Sequence, residues 1–437
     1  MEWYLALLLI MGSFIVLMLI GLPVAFCFML VNIVGVLLWW GGIPALERLI
    51  ISIFDSVTMF LLLPVLLFIL MGEVTLQSGI APALVDTLDK WLGRLPGRLG
   101  LLAVGAGTLF STLTGEPVAS VAMLGSTLVP DMEKRGYKKP MSLGPILGSG
   151  GIAMMIPPSS LAVFFGAIGL ISIGKILMGI IIPGLMLAVL LAGYIIIRCQ
   201  LQPSIAPPYE VPPTSISEKL IATVRYVLPV GLVIFMVVGV IFLGIATPSE
   251  SAASGVLGIF MLAAFYRRLN WEMVKKSFSG TVEIAVMIFM IIAAAKGFGQ
   301  NLAFTGATKG LAEFTMGLPL APIAIFIAIQ VIVVIMGMFM EPASIIMITL
   351  PVFMPVVHTL GFDPVWFAIV MLLNIQLGML SPPFGMSLFV MKGVAPPDTT
   401  MGDIYRAALP FFALNLVGMA LIIAFPAMAL WLPGLMR

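Results

Sequence analysis

Two carboxylate–proline pairs interrupt apolar sequence in this chain, Glu116-Pro117 and Glu341-Pro342. Each is followed 41 residues later by a proline pair, Pro157-Pro158 and Pro382-Pro383. Proline lacks the backbone N–H and turns the residue before it out of helical geometry. A proline pair inside an apolar helix therefore leaves two half-helices, with free carbonyls at one end and free N–H groups at the other. Such ends attract cations and anions respectively. Ser149-Gly150-Gly151 and Ser159-Ser160 flank the first pair, Asn374 and Ser381 the second. Neutral oxygens of this kind suit a hard cation such as Na+. At the tips, Thr114 or Gly115 can cap the arm that begins at Pro117, and Ser344 stands in the first turn after Pro342. Glu116 and Glu341 have two readings, as cation ligands or as partners of a helix N-terminus.

The elements that position these residues occur twice. Both sets match at an offset of 225 residues, as do Pro130 and Pro355, Gly136 and Gly361, and Gly72 and Gly297. Shared proline and glycine punctuation means shared backbone geometry, hence two repeats. The first is expected over 1–197, with a hairpin at 98–131 and a broken helix at 141–169. The second is expected over 227–437, with a hairpin at 319–357 and a broken helix at 364–392. A Pro-rich linker, 198–226, separates them. Further spans are read at 3–20, 22–40, 57–79, 176–197, 227–246, 249–266, 281–303 and 407–433, with interfacial stretches at 44–55 and 270–280. The expected fold is an all-α integral membrane protein of about ten transmembrane helices plus two re-entrant helical hairpins, the hairpin arms being near or below the roughly 20 residues of a span.

Composition agrees. The chain is 61% hydrophobic and 9% charged, where soluble domains carry roughly 25% charged residues. A net charge of +2 gives no case for nucleic acid. There is no GxxxxGK[ST] run to bind ATP. Cys27, Cys199 and the single His358 form no metal-ligand or catalytic cluster, so an enzyme is not expected. The start lacks a basic stretch, and 3–20 is expected to be a retained helix. With both hairpins re-entrant, 16 of the 21 basic residues fall on one face, which is then cytoplasmic. Both termini become periplasmic and the repeats inverted. Lys296 is a charge inside a span and a functional candidate for that reason. Trp39, Trp40, Trp91, Trp271, Trp366 and Trp431 are placed as an interfacial belt.

The run from Gly150 to Ser160 resembles the "GTLGILIPPS" element of the large membrane subunit of tripartite ATP-independent periplasmic (TRAP) transporters. Leu113–Ser120 is similar to its "LSGSSVA" tip, and Gly244–Ala253 to its "GxATPTEAAA". Gly337–Pro342 resembles "GMFLDP", and Asn374–Gly385 resembles "NLAIGLITPPVG". The resemblance runs along nearly the whole chain in order. It implies Na+-coupled uptake of a carboxylate-bearing organic acid across a bacterial inner membrane by an elevator motion. It also implies a periplasmic substrate-binding protein and a small four-helix membrane subunit as a separate chain, with Na+ as coupling ion and no other cofactor. One Na+ site is expected from Ser111, Thr112, Thr114, Gly115 and Glu116 with Ser149, Gly150, Pro157, Pro158 and Ser159. The other is expected from Met340, Glu341, Ser344, Asn374, Ser381, Pro382 and Pro383. Ser160, Lys296 and Gly385 are expected at the substrate. Glu116 stands where the family has a small hydroxyl residue. The rival reading is a stand-alone Na+- or H+-coupled divalent-anion symporter that needs no binding protein.

Overall fold

A computed structural model describes residues 2–40, 42–93, 95–114, 117–208 and 214–436, with the backbone alone at 81 and 110–114. Among the described residues every regular element is helical. The first half runs α1 (Trp3–Leu19), α2 (Val24–Trp39), α3 (Pro44–Val57), α4 (Leu63–Ser78), α5 (Ile80–Leu92), α6 (Arg98–Thr114), α7 (Pro117–Lys134), α8 (Lys139–Gly150), α9 (Ser160–Gly169), α10 (Ile173–Gly179) and α11 (Ile181–Leu201). The second begins with α12 (Ile216–Ala222), α13 (Leu228–Ile234) and α14 (Val240–Phe242), joined through two π-helical turns into one span. It continues with α15 (Pro248–Phe265), α16 (Trp271–Phe304), α17 (Ala307–Gly317), α18 (Pro322–Phe339), α19 (Pro342–Thr359), α20 (Pro364–Met379), α21 (Met386–Val394), α22 (Met401–Ala424) and α23 (Ala427–Gly434).

Helix starts recur between the halves. α5 and α17, α6 and α18, α7 and α19, α8 and α20, and α9 and α21 begin 224–227 residues apart. Gly79 and Gly306 both hold positive φ (64° and 72°), a conformation that suits glycine, and each turns the chain into α5 or α17.

Among the described residues eight helices are long and apolar enough to span a membrane, or nine if the pair Lys139–Met155 and Ser160–Gly169, bent by 42°, is one span. α18 and α19 each have 18 residues, about 27 Å of helix. Arm length therefore does not by itself keep this hairpin from crossing.

Several elements differ from the sequence reading. α5 and α17 are helices where no element is read. Residues 270–280 and 281–303 form one 34-residue helix, α16, instead of an interfacial stretch and a span. The matching region of the first half is broken between α3 and α4, where Pro64 occupies the first turn of α4; its counterpart at the repeat offset is Phe289, which interrupts nothing. Both ends of the expected linker 198–226 are helical, because helix continues to Leu201 and resumes at Ile216, and Pro203–Ile205 forms a 3₁₀ turn between them. Trp366 is buried, stacks on Phe326 and donates to the Ile422 carbonyl at 3.1 Å, so it belongs to the core and not to an interfacial belt.

Two groups of helices result. α2, α4, α15 and α16 pack together, with Phe14, Phe28 and Phe298 clustered at 4.7–5.6 Å and Asn32 donating to the Ala294 carbonyl. α6 to α8 and α18 to α22 pack around the two breaks. On the face where α8 begins, Lys139 Nζ ties the groups near it together. It lies 3.0 Å from Glu133 Oε1, 2.8 Å from Asp398 Oδ2 and 2.7 Å from Thr399 Oγ1.

Candidate cation sites at the hairpin tips and helix breaks

In the second half the tip and the break meet. Gly337 of α18 and Gly378 of α20 touch backbone to backbone: a Cβ on either would lie 2.5–2.7 Å from the other's Cα. Only glycine permits that approach. It brings the chain just before the tip against the chain just before the break. Phe339 and Phe384 then pack at a tilt of 39° with ring centroids 5.3 Å apart.

Glu341 is the N-cap of α19. Its carboxylate accepts from Ala343 N at 2.8 Å, from Ser344 N at 2.6 Å and from the Ser344 hydroxyl. Of the two readings of this glutamate, the helix-terminus partner is the one the geometry displays. Met340 is buried beside it in extended backbone, and Pro342 takes the first helical position.

The break itself gathers oxygens. Gly385 N donates to Ser381 O at 3.0 Å. A Cβ at Gly385 would lie 2.4 Å from Met379 O and 2.8 Å from Ser381 O, so two carbonyls converge there. Ser381 Oγ donates to Leu377 O at 2.8 Å, which leaves its lone pairs free to accept or ligate. About two turns before Ser381, Asn374 Nδ2 donates to the Gln330 carbonyl and to Gln330 Oε1, both at 2.7 Å. Its Oδ1 is buried and has no partner. Buried polar atoms are almost always paired, and an exception asks for an explanation such as an ion.

The first half repeats the plan in a more enclosed setting. α8 ends at Gly150 and passes into a 3₁₀ turn, Gly151–Met155. Extended Ile156 leads to Pro157 and Pro158, and Ser159 caps α9 by accepting from Ala162 N at 3.3 Å. Both proline pairs contain a cis peptide bond. The tip again meets the break: a Cβ on Gly150 would lie 2.3 Å from Val121 Cγ2 and 3.5 Å from the Pro117 carbonyl. Ser149, with Oγ donating to Ile146 O at 3.3 Å, packs against Gly107 of α6. Ser111, Thr112 and Thr114 are described by backbone only, and Gly115 and Glu116 lie outside the described residues.

Of the expected substrate residues, Ser160 and Gly385 are buried at the two breaks, whereas Lys296 lies on the exposed face of α16. Four residues of these regions escape the motif search. Ser120 Oγ is buried without a partner in the first turns of α7, and Gln330, Gln376 and Asn415 are buried amides in apolar helices. Their signal is polarity inside a hydrophobic run. Among the described residues no group of three or more His, Cys, Asp or Glu could hold a metal ion. Oxygens available at both breaks are neutral carbonyls, hydroxyls and amides, a donor set suited to a hard monovalent cation.

Residues 11–428 match the family described as "Tripartite ATP-independent periplasmic transporter, DctM component". The chain is 31% identical over 393 residues to the C4-dicarboxylate TRAP transporter large permease protein DctM of Pseudomonas aeruginosa, covering 89% of this chain and 90% of that one. It is 29% identical to the ectoine TRAP transporter large permease protein TeaC of Halomonas elongata, covering 97% and 98%. It is 30% identical to the isethionate TRAP transporter permease protein DctMQ of Oleidesulfovibrio alaskensis, covering 97% of this chain and 66% of that one. Its fold is similar to the YdaH transporter of Alcanivorax borkumensis, with a TM-score of 0.64 at 15% identity over 94% and 98% of the two chains.

Proposed function

The chain belongs to the DctM family of TRAP transporter large permeases, multi-pass secondary transporters that work with a binding protein, and from that premise we propose that it imports a small carboxylate-bearing organic acid with Na+. The observation that carries the Na+ reading is the unpaired, buried Asn374 Oδ1 in α20, about two turns before the Ser381 carbonyl, which converges with that of Met379 at the break. A cation there would satisfy atoms that otherwise sit desolvated. The second site would form where Ser149, Gly150 and Ser159 face the Pro117 tip, completed by Ser111, Thr112, Thr114, Gly115 and Glu116.

Solute would lie between the halves, near Ser160 and Gly385, at half-helix ends whose N–H groups suit a carboxylate. The names of relatives that handle C4-dicarboxylates and ectoine support a small organic acid. The partners are a periplasmic receptor and a small four-helix membrane subunit on a separate chain. The DctMQ relative, of which this chain covers 66%, supports that division of labour. In an elevator motion, hairpins and broken helices would move together against α2, α4, α15 and α16, with both termini periplasmic.

The test is uptake into proteoliposomes holding this chain with its small subunit, supplied with receptor loaded from a panel of radiolabelled organic acids. Accumulation that requires both an inward Na+ gradient and the receptor is expected. Accumulation driven by a proton gradient alone, or without receptor, would overturn the reading.

A further inference from the structure

α20 sends two amide side chains in different directions. Asn374 and Gln376 are two positions apart, about 200° around the helix. Asn374 turns to Gln330 on α18, within its own half. Gln376 turns to the other half. Its carboxamide fills the space that a side chain on Gly151 would occupy: a Cβ there would lie 1.9 Å from Nε2 and 2.1 Å from Cδ. Gly151 opens the 3₁₀ turn that leads into the first break.

The orientation of this amide is fixed from the far side. Nε2 donates to Asn415 Oδ1 on α22 at 3.2 Å, and Asn415 Nδ2 is itself anchored on the Phe411 carbonyl at 2.8 Å. With the NH2 end committed, Oε1 is the free end. It is buried and has no partner, on a residue only 3% exposed. A carboxamide oxygen held in this way lacks only a donor or a cation.

We propose that Gln376 Oε1 is a ligand of the coupling cation at the first break, lent across the interface by the second half. The site is then a composite of both repeats. Its occupancy depends on where α20 sits, so cation binding at the first break senses the conformation of the second. This rests on the cation-coupled reading of the breaks.

The experiment measures Na+ activation of solute uptake by the reconstituted full chain with its small subunit and receptor. Gln376→Ala should raise the half-saturating Na+ concentration by about tenfold, the weight of one hydrogen-bond-like interaction with a charge. It should also lower the Hill coefficient. The double variant Gln376→Ala with Gly151→Thr should recover most of the affinity, because the space vacated by the carboxamide then holds a threonine hydroxyl. Gln376→Met keeps the length and most of the packing but has no carboxamide oxygen, and should raise the half-saturating Na+ concentration as the alanine variant does. That variant keeps the test decisive if the alanine variant does not fold. A merely structural role would move thermal stability and leave Na+ activation within twofold of the parent in all three variants, which would overturn the proposal. Uptake by the parent chain that ignores Na+ would overturn the cation-coupled reading as well. Na+-dependent uptake by the parent with no change in the variants would overturn only the role of Gln376.

Discussion

Asn374 concentrates the residue-scale argument. Both hydrogens of its amide are used on Gln330, and the oxygen left over is buried inside α20, the helix that leads into the second break. If that oxygen ligates Na+, Asn374→Ala should raise the half-saturating Na+ concentration by about tenfold, read from uptake against Na+ concentration, with little change at saturating Na+. Sequence alone marks Asn374, Ser381 and the prolines by their spacing, because a proline pair in an apolar run ends one helix and leads into the next. It did not find Gln330, Gln376, Asn415 or Ser120. Each is a polar residue whose partners are set by helix packing, which spacing does not encode. Lys296 stands out for its charge, yet it is exposed on α16.

At the scale of elements, the hairpins and broken helices were legible because they are bounded by prolines and glycines that recur in both halves. α5 and α17 were not, since a short amphipathic helix lacks the long apolar run that marks a span. α16 was split in the reading because its amphipathic start resembles α3; with no proline at the position of Pro64, nothing ends the helix. The contact between Gly337 and Gly378 holds α18 against α20. Gly378→Ala places a methyl where the Gly337 backbone lies and should cost about 1–3 kcal/mol. Thermal unfolding in detergent checks this, and loss of transport should exceed what the stability change explains. The Lys139 cluster makes a pH prediction. The hydrogen bond from Lys139 holds the Asp398 carboxyl below the ordinary aspartate range. A lowered folded value adds stability above the unfolded pKa, and that stability is lost as pH falls through the lowered value. Stability should therefore change little from neutral to mildly acidic pH on account of this pair, with its share lost only in stronger acid. Because Asp398 is exposed, the effect is small. A melting curve of Asp398→Asn that matches the parent in acid and falls slightly below it at neutral pH would bear this out.

For the whole molecule, the two breaks sit in different surroundings. Pro157 and Pro158 are buried, while Pro382, Pro383 and Phe384 are exposed. The Pro383 carbonyl accepts from Tyr405 Oη at 2.8 Å, near the start of α22 on the Lys139 face. The proposed topology, from the excess of basic residues, sets that face in the cytoplasm. In a background with Cys27 and Cys199 replaced, Phe384→Cys should be labelled by a membrane-impermeant thiol reagent from the cytoplasmic side. Na+ together with solute should slow that labelling as the moving body shifts. Labelling from the periplasmic side alone would contradict the topology. The deciding quantity is the coupled flux of 22Na+ and radiolabelled solute into proteoliposomes at zero membrane potential, for the parent chain and for Asn374→Ala. A fixed stoichiometry of Na+ to solute in the parent, with both fluxes reduced together in Asn374→Ala at limiting Na+, is what the account predicts. Solute accumulation with no accompanying 22Na+ entry would contradict it.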